Sequence, residues 1–231
     1  MVKLSPRGKT FAGLVLGHAL LDCYGSFWPI FKYLAGIDVG VAGVLATATS
    51  TVAMLLQPVF GHLGHAGRAR LFVVGGTALT LLMTLLGPLA LGRDALGPGV
   101  FVGLMIVILS LTRIGQATFH PVAGVQAGAL VRGRRSTLLA VFVAAGWLGV
   151  GLSQPVYSWA HFATGGHSEV LLLPGLLLLA LTAVWYRPMG IASAGALARN
   201  PALGATGALA WLAIGNVLAL VLAIGLHQHR D

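Results

Sequence analysis

Residues 11 to 35 read FAGLVLGHALLDCYGSFWPIFKYLA, an apolar run interrupted by one acid, Asp22, with His18 one turn before it. A helix of this length covers the roughly 30 Å of a bilayer core at about 1.5 Å per residue. An isolated charge at that depth costs from roughly 3 kcal/mol on insertion scales to more than about 10 in simulations, so it normally faces a cavity or a partner. No other acid in the sequence falls inside an apolar run, and only one base, Arg113, lies as deep in another. The two are therefore read together.

Composition extends this reading to the whole chain. Of 231 residues, 57% are hydrophobic and 8% charged, and the mean hydropathy is +0.91. That is too apolar for a soluble globular domain and too long for a single anchor. The net charge of +9 does not indicate nucleic acid, because the basic residues are scattered between apolar runs and form no water-facing patch. Seven runs are long enough to span: Phe11 to Ala35, Val39 to Leu63, Leu71 to Leu91, Gly99 to His120, Ser136 to Phe162, Val170 to Tyr186 and Ala205 to Leu226. Helices are expected, since open strands would leave backbone groups unpaired in lipid and the alternation of a barrel is missing. No cleavable leader is expected, because the first apolar run is long and carries His18 and Asp22.

Lysines and arginines set the expected orientation. Ten of the 14 fall on one side of the seven-span arrangement: Lys3, Arg7, Lys9, Arg68, Arg70, Arg132, Arg134, Arg135, Arg187 and Arg199. The positive-inside rule then places the N-terminus in the cytoplasm and the end of the seventh span outside. With Cys23 alone, no internal disulfide forms.

Helical phase gathers the polar residues. His18 and Asp22 are four apart, Gly25 and Pro29 continue nearly the same face, and Arg113, Gln116 and His120 form a similar stripe on the fourth run. Because these runs are antiparallel, Asp22 and Arg113 are both expected near mid-membrane, with His18 and His120 on the cytoplasmic side of them. Thr47, Ser50 and Gln57 form a stripe on the second run, ahead of Pro58. The expectation is a water-accessible cavity lined by the first, second and fourth helices. A buried structural ion pair between Asp22 and Arg113 is the plain alternative, and interhelical hydrogen bonding is the plain alternative for Gln57 and the hydroxyls. His62 and His65 lack a carboxylate or thiolate to complete a metal site, so no metal and no cofactor are expected.

Gly17-His-Ala-Leu-Leu-Asp22 with Pro29, then Gln57-Pro-Val-Phe-Gly61, then Arg113-Ile-Gly-Gln-Ala-Thr-Phe-His-Pro121 followed by Gly124, resemble the N-terminal half of major facilitator transporters. The likeness is nearest to the fosmidomycin-resistance-type efflux proteins and covers about residues 11 to 165. It implies proton-driven export of a small molecule across a plasma membrane, such as a bacterial inner membrane, with Asp22, Arg113 and His120 at matched positions. The loop Gly61 to Arg70 keeps the glycines and the bases Arg68 and Arg70 of the facilitator pattern but has no acid. Gly146, Gly149 and Gly151 ahead of Gln154-Pro155 resemble a degenerate antiporter motif; close helix packing is the alternative.

The expected domain organisation is a six-helix half over residues 1–186, a cytoplasmic linker over 187–204, and one further helix and tail over 205–231. Facilitators place their substrate site between two such halves. A second copy or a separately encoded C-terminal half is thus an expected partner, together with lipid, protons and substrate. In the expected mechanism, Asp22 alternates between a protonated form and a carboxylate paired with Arg113, His18 and His120 relay protons, and Pro121 with the glycines shapes the moving helices. A membrane-embedded enzyme would need a nucleophile, metal set or cofactor motif near Asp22 and His18, and the sequence offers none. A noncatalytic subunit or inactive remnant is the remaining alternative.

Overall fold

The computed structural model describes residues 4–188; the seventh apolar run and the stretch before it lie outside the described residues. Among the described residues every regular element is helical, and six helical spans are long and apolar enough to cross a bilayer. They are α1 (Pro6–Leu34), α2 (Val39–Leu63), α3 (Leu71–Leu91), α4 (Pro98–Ala129), α5 (Arg135–Thr164) and α6 (Ser168–Trp185). The protein is thus an all-α, multi-pass membrane protein.

The second and third spans have the bounds expected from hydropathy. The fourth continues past Pro121 to Ala129, because proline removes one ladder hydrogen bond without forcing a helix in lipid to stop. The first span is broken: its helix ends at Gly25 and restarts at Trp28, with Pro29 inside the first turn of the second piece. Proline suits that position, since the amide it lacks would have no helical partner there. Gly36, at φ +61, ends this piece, and Asp38 then caps α2 by accepting from the Val41 amide at 3.0 Å. The connection between α2 and α3 is wound as a wide π-type turn over Gly64–Arg68.

Lipid is as apolar as leucine, so the spans must hold together by close approach and hydrogen bonding. The most extensive contacts run between α3 and α4 and between α1 and α5, followed by α2 with α4; α6 closes on α1 and α3. Small residues let the backbones meet. A Cβ on Gly76 of α3 would stand 2.6 Å from the carbonyl oxygen of Gly115 on α4. The hydroxyls of Thr77, Thr80 and Thr84 are fully buried in α3 and bond to carbonyls of their own helix, at 2.8, 2.8 and 2.7 Å. Ser168 fastens the start of α6 to α3, donating to the Thr84 carbonyl at 2.8 Å and accepting from the Gly87 amide at 2.9 Å. Tyr24 donates to the Leu171 carbonyl at 2.7 Å, tying the same region to α1.

Two apolar clusters fill the bundle. One joins Phe27, Phe31, Met105, Leu109 and Tyr157; the other joins Leu14, Leu21, Val73, Phe119, Phe142 and Tyr186. The second is the one that surrounds the buried imidazole of His18.

Candidate functional site

His18 and Asp22 meet as their spacing requires, with Nε2 3.1 Å from Oδ2. His120 reaches the same carboxylate from α4, its Nε2 3.6 Å from Oδ1. The three donor atoms lie within 4.8 Å of one another. His18 is the buried member and His120, with a third of its side chain exposed, is the open one.

The ring of His18 is held on three sides. It stacks on Phe142 at 4.1 Å between centroids and lies 5.6 Å from Phe119, while its Nδ1 is 2.7 Å from the Phe142 carbonyl oxygen. A carbonyl only accepts, so Nδ1 must carry hydrogen and donate. A neutral ring then presents a bare lone pair at Nε2, 3.1 Å from a carboxylate oxygen that also only accepts. Two acceptors at that separation require a cation between them. The centre is therefore built around a shared positive species, a proton in the simplest case.

α5 supplies the wall. A Cβ on Gly146 would come within 2.6 Å of Asp22 Oδ2 and of His18 Nε2 and Cε1. At Gly149 a Cβ would strike the Ala19 carbonyl oxygen, whereas Gly151 faces open space. The glycines expected to act as one motif thus divide: two admit α1, and the third does not touch it. Pro155 stands inside the same helix.

The expected ion pair between Asp22 and Arg113 is not formed. Arg113 donates through a terminal nitrogen to Gln116 Oε1 at 2.7 Å, and the ion pairs within 4.0 Å at Asp22 are those with the two histidines. Helix rise explains the correction. His120 is level with Asp22, and Gly25 lies against Gln116; Arg113, seven residues before His120, is displaced along α4 by about 10 Å. Depth judged from the ends of the apolar runs misplaced it, because α4 is 32 residues long and extends past Pro121. The Arg113 Nε is buried and has no partner among the described residues.

The remaining expected residues distribute as follows. Ser50 and Gln57 are half-buried on α2, while Thr47 is exposed and the buried hydroxyl of that helix is Thr49, which donates to the Leu45 carbonyl at 2.8 Å. The walls of the Asp22 centre come from α1, α4 and α5, so α5 takes the place expected for α2. Gly61 approaches Pro121, which puts these two at the α2–α4 contact. Arg70 donates to the Ala183 carbonyl at 3.1 Å and Arg68 is exposed. A cavity of about 300 Å³ lies away from the centre, lined by Phe31, Arg93, Phe101, Tyr157 and His161 among others.

Sequence reasoning missed the Phe142 carbonyl and the wall role of Gly146. A backbone carbonyl leaves no trace in residue type, and a glycine in a membrane helix reads equally as packing. The approach of His120 to Asp22 was legible in principle, since both stand on one stripe with their helices antiparallel.

With six apolar helical spans enclosing an acid–imidazole centre, the class is a polytopic membrane protein with a buried polar site. No family model matches the chain. It is similar to Protein spinster homolog 1 of Bos taurus, 29% identical over 155 residues, which is 66% of this chain and 28% of the relative. The human protein of the same name is 27% identical over the same length, and that of Xenopus laevis 28%. The matched part spans little more than a quarter of the length of these curated relatives.

Proposed function

We propose that the chain is the N-terminal half of a major-facilitator-like transporter and takes part in proton-coupled movement of a small molecule, with efflux by antiport as the direction its motifs favour. The observation that carries this reading is the Asp22 carboxylate held inside the bundle between two imidazoles, His18 at 3.1 Å and His120 at 3.6 Å. Ionisable residues inside a bilayer mark ion and proton pathways by default. The similarity to the spinster homologs, 29% identical over 66% of this chain for the Bos taurus protein, supports a membrane-transport role.

In this reading Asp22 binds and releases the coupled proton. The groups facing it are His18 from α1, His120 from α4 and, two turns further along α4, Arg113; α5 contributes only the backbone around Gly146. His120, the most exposed of the three, passes protons between the centre and the water-accessible side. Rocking of α1 against α4 brings Arg113 from Gln116 to the carboxylate and expels the proton. Gly61 and Pro121 at the α2–α4 contact, with Gly146 and Gly149 at the α1–α5 contact, are where the helices pivot. The N-terminus faces the cytoplasm, and a second helical half, from another copy or a separate C-terminal half, covers the face on which His120 is open.

Reconstitution into proteoliposomes tests this, with an imposed proton gradient and a panel of small polar and anionic solutes. Gradient-driven accumulation that protonophore abolishes is the expected result, and Asp22→Asn should remove it while passive exchange persists. Accumulation unchanged in Asp22→Asn refutes the coupling role. Cross-linking and mass determination in mild detergent test the second half: a strictly monomeric six- or seven-helix species that drives transport alone refutes it.

A further inference from the structure

His18, Asp22 and His120 present two imidazole nitrogens and a carboxylate oxygen to one point, and we propose that they form a binding site for a divalent metal ion of the zinc, nickel or cobalt type. The distances carry the argument. Two donors about 2.1 Å from a common tetrahedral zinc stand about 3.4 Å apart. The two contacts at Asp22 run to different oxygens, 3.1 Å from His18 to Oδ2 and 3.6 Å from His120 to Oδ1, and one ligand atom from each of the three residues lies within 4.8 Å of the others. Closing these atoms to the ligand spacing takes a movement of about 1 Å, and His120, the exposed member, has room to swing.

The surroundings are those of a held site. The Nδ1–H of His18 donates to the Phe142 carbonyl at 2.7 Å, which fixes the tautomer and aims the Nε2 lone pair at the centre. Metal-bound histidines are oriented by such an outer bond, and its loss typically weakens binding about 10- to 100-fold. Gly146 keeps the space beside Nε2 and Oδ2 free of side chain. The donor set selects the ion: two nitrogens and one oxygen suit zinc, nickel and cobalt, whereas magnesium and calcium take mostly oxygens and copper(I) takes sulfur. Cys23, next to Asp22 in sequence, does not join the cluster.

Charge sets the fourth position. A divalent ion with one carboxylate leaves a net positive centre in a medium that disfavours it, with Arg113 two turns away. The fourth ligand is therefore an anion, either hydroxide or halide, and Arg113 opposes the ion from outside. Binding at equilibrium requires no transport, so the site stands or falls separately from the proton-coupled reading.

Untagged protein in detergent is titrated with zinc against a chromogenic chelator, and zinc-loaded wild-type protein is examined by X-ray absorption. The expected result is one tight zinc per chain, with a shell of two imidazole nitrogens, a carboxylate oxygen and one anion. His120→Ala and Asp22→Asn should each weaken binding by more than about 100-fold, the upper end of outer-bond losses, while His62→Ala leaves it unchanged. Arg113→Gln should tighten binding by at least about threefold, because a nearby positive charge is removed, a direction that misfolding does not produce. A sulfur in the shell, binding that survives loss of both His120 and Asp22, or an affinity unmoved or weakened by Arg113→Gln overturns the proposal. So does the absence of stoichiometric zinc in the wild-type protein.

Discussion

Three glycines on α5 provide a graded test of how the centre is built. An alanine at Gly146 would place Cβ 2.6 Å from Asp22 Oδ2 and from two atoms of the His18 ring, where non-bonded carbon ordinarily keeps about 3.5 Å. Asp22 and His18 must both retreat by roughly 0.9 Å, which takes them out of their places against α5. Overpacking of this kind costs about 1–3 kcal/mol. At Gly149 the obstacle is backbone: Cβ would meet the Ala19 carbonyl and stand 3.0 Å from the Cys23 amide nitrogen. Backbone cannot rotate away, so the cost lies at or above the upper end of that range. At Gly151 nothing stands within 4 Å, and alanine gains up to about 1 kcal/mol of helix propensity. Thermal melting of detergent-solubilised protein, followed by size exclusion, should rank Gly149→Ala least stable, then Gly146→Ala, with Gly151→Ala at or above wild type. Gly146→Ala should also lose proton-driven transport under conditions where most of it remains folded. If Gly151→Ala melts as early as Gly149→Ala, or Gly149→Ala melts with wild type, the packing of α1 on α5 described above is wrong.

Other outcomes follow from particular contacts. Combining Asp22→Asn with Arg113→Gln should not restore transport lost in Asp22→Asn, because the two residues are not paired at rest; recovery in the double variant would show a purely structural pair. Ser168→Ala removes two buried hydrogen bonds, to the Thr84 carbonyl and from the Gly87 amide, and should lower stability by about 1–3 kcal/mol in the same melting assay. In a Cys23→Ser background, an impermeant thiol reagent applied to intact cells should label a cysteine at His167, an exposed position, and not one at Ser136. The opposite pattern refutes a cytoplasmic N-terminus.

Much of the fold is legible in hydropathy alone, since a run of apolar residues in lipid has few backbone solutions. The bounds of α2 and α3 follow directly. The length of α4 does not, because Pro121 reads as a stop in a soluble helix and is tolerated here. That one error in length carried into the site: it placed Arg113 level with Asp22, when the register of α1 on α4 puts His120 there. The pairing of His18 with Asp22 depended only on local spacing, and so it was readable. The contribution of α5 was not, because it consists of the main-chain carbonyl and stacked ring of Phe142, an aromatic that reads as core, and the lack of a side chain at Gly146.

That lack has an evolutionary consequence. Every coding change at Gly146 adds at least a Cβ, and no substitution is smaller, so the position has no neutral neighbour while His18, Asp22 and His120 act together. In descendants that abandon the centre, the constraint lifts at once. Across natural variants of this chain, Gly146 should therefore be retained wherever the two histidines and the aspartate are all present, and should drift to alanine or serine only in lineages where one of the three has already been lost.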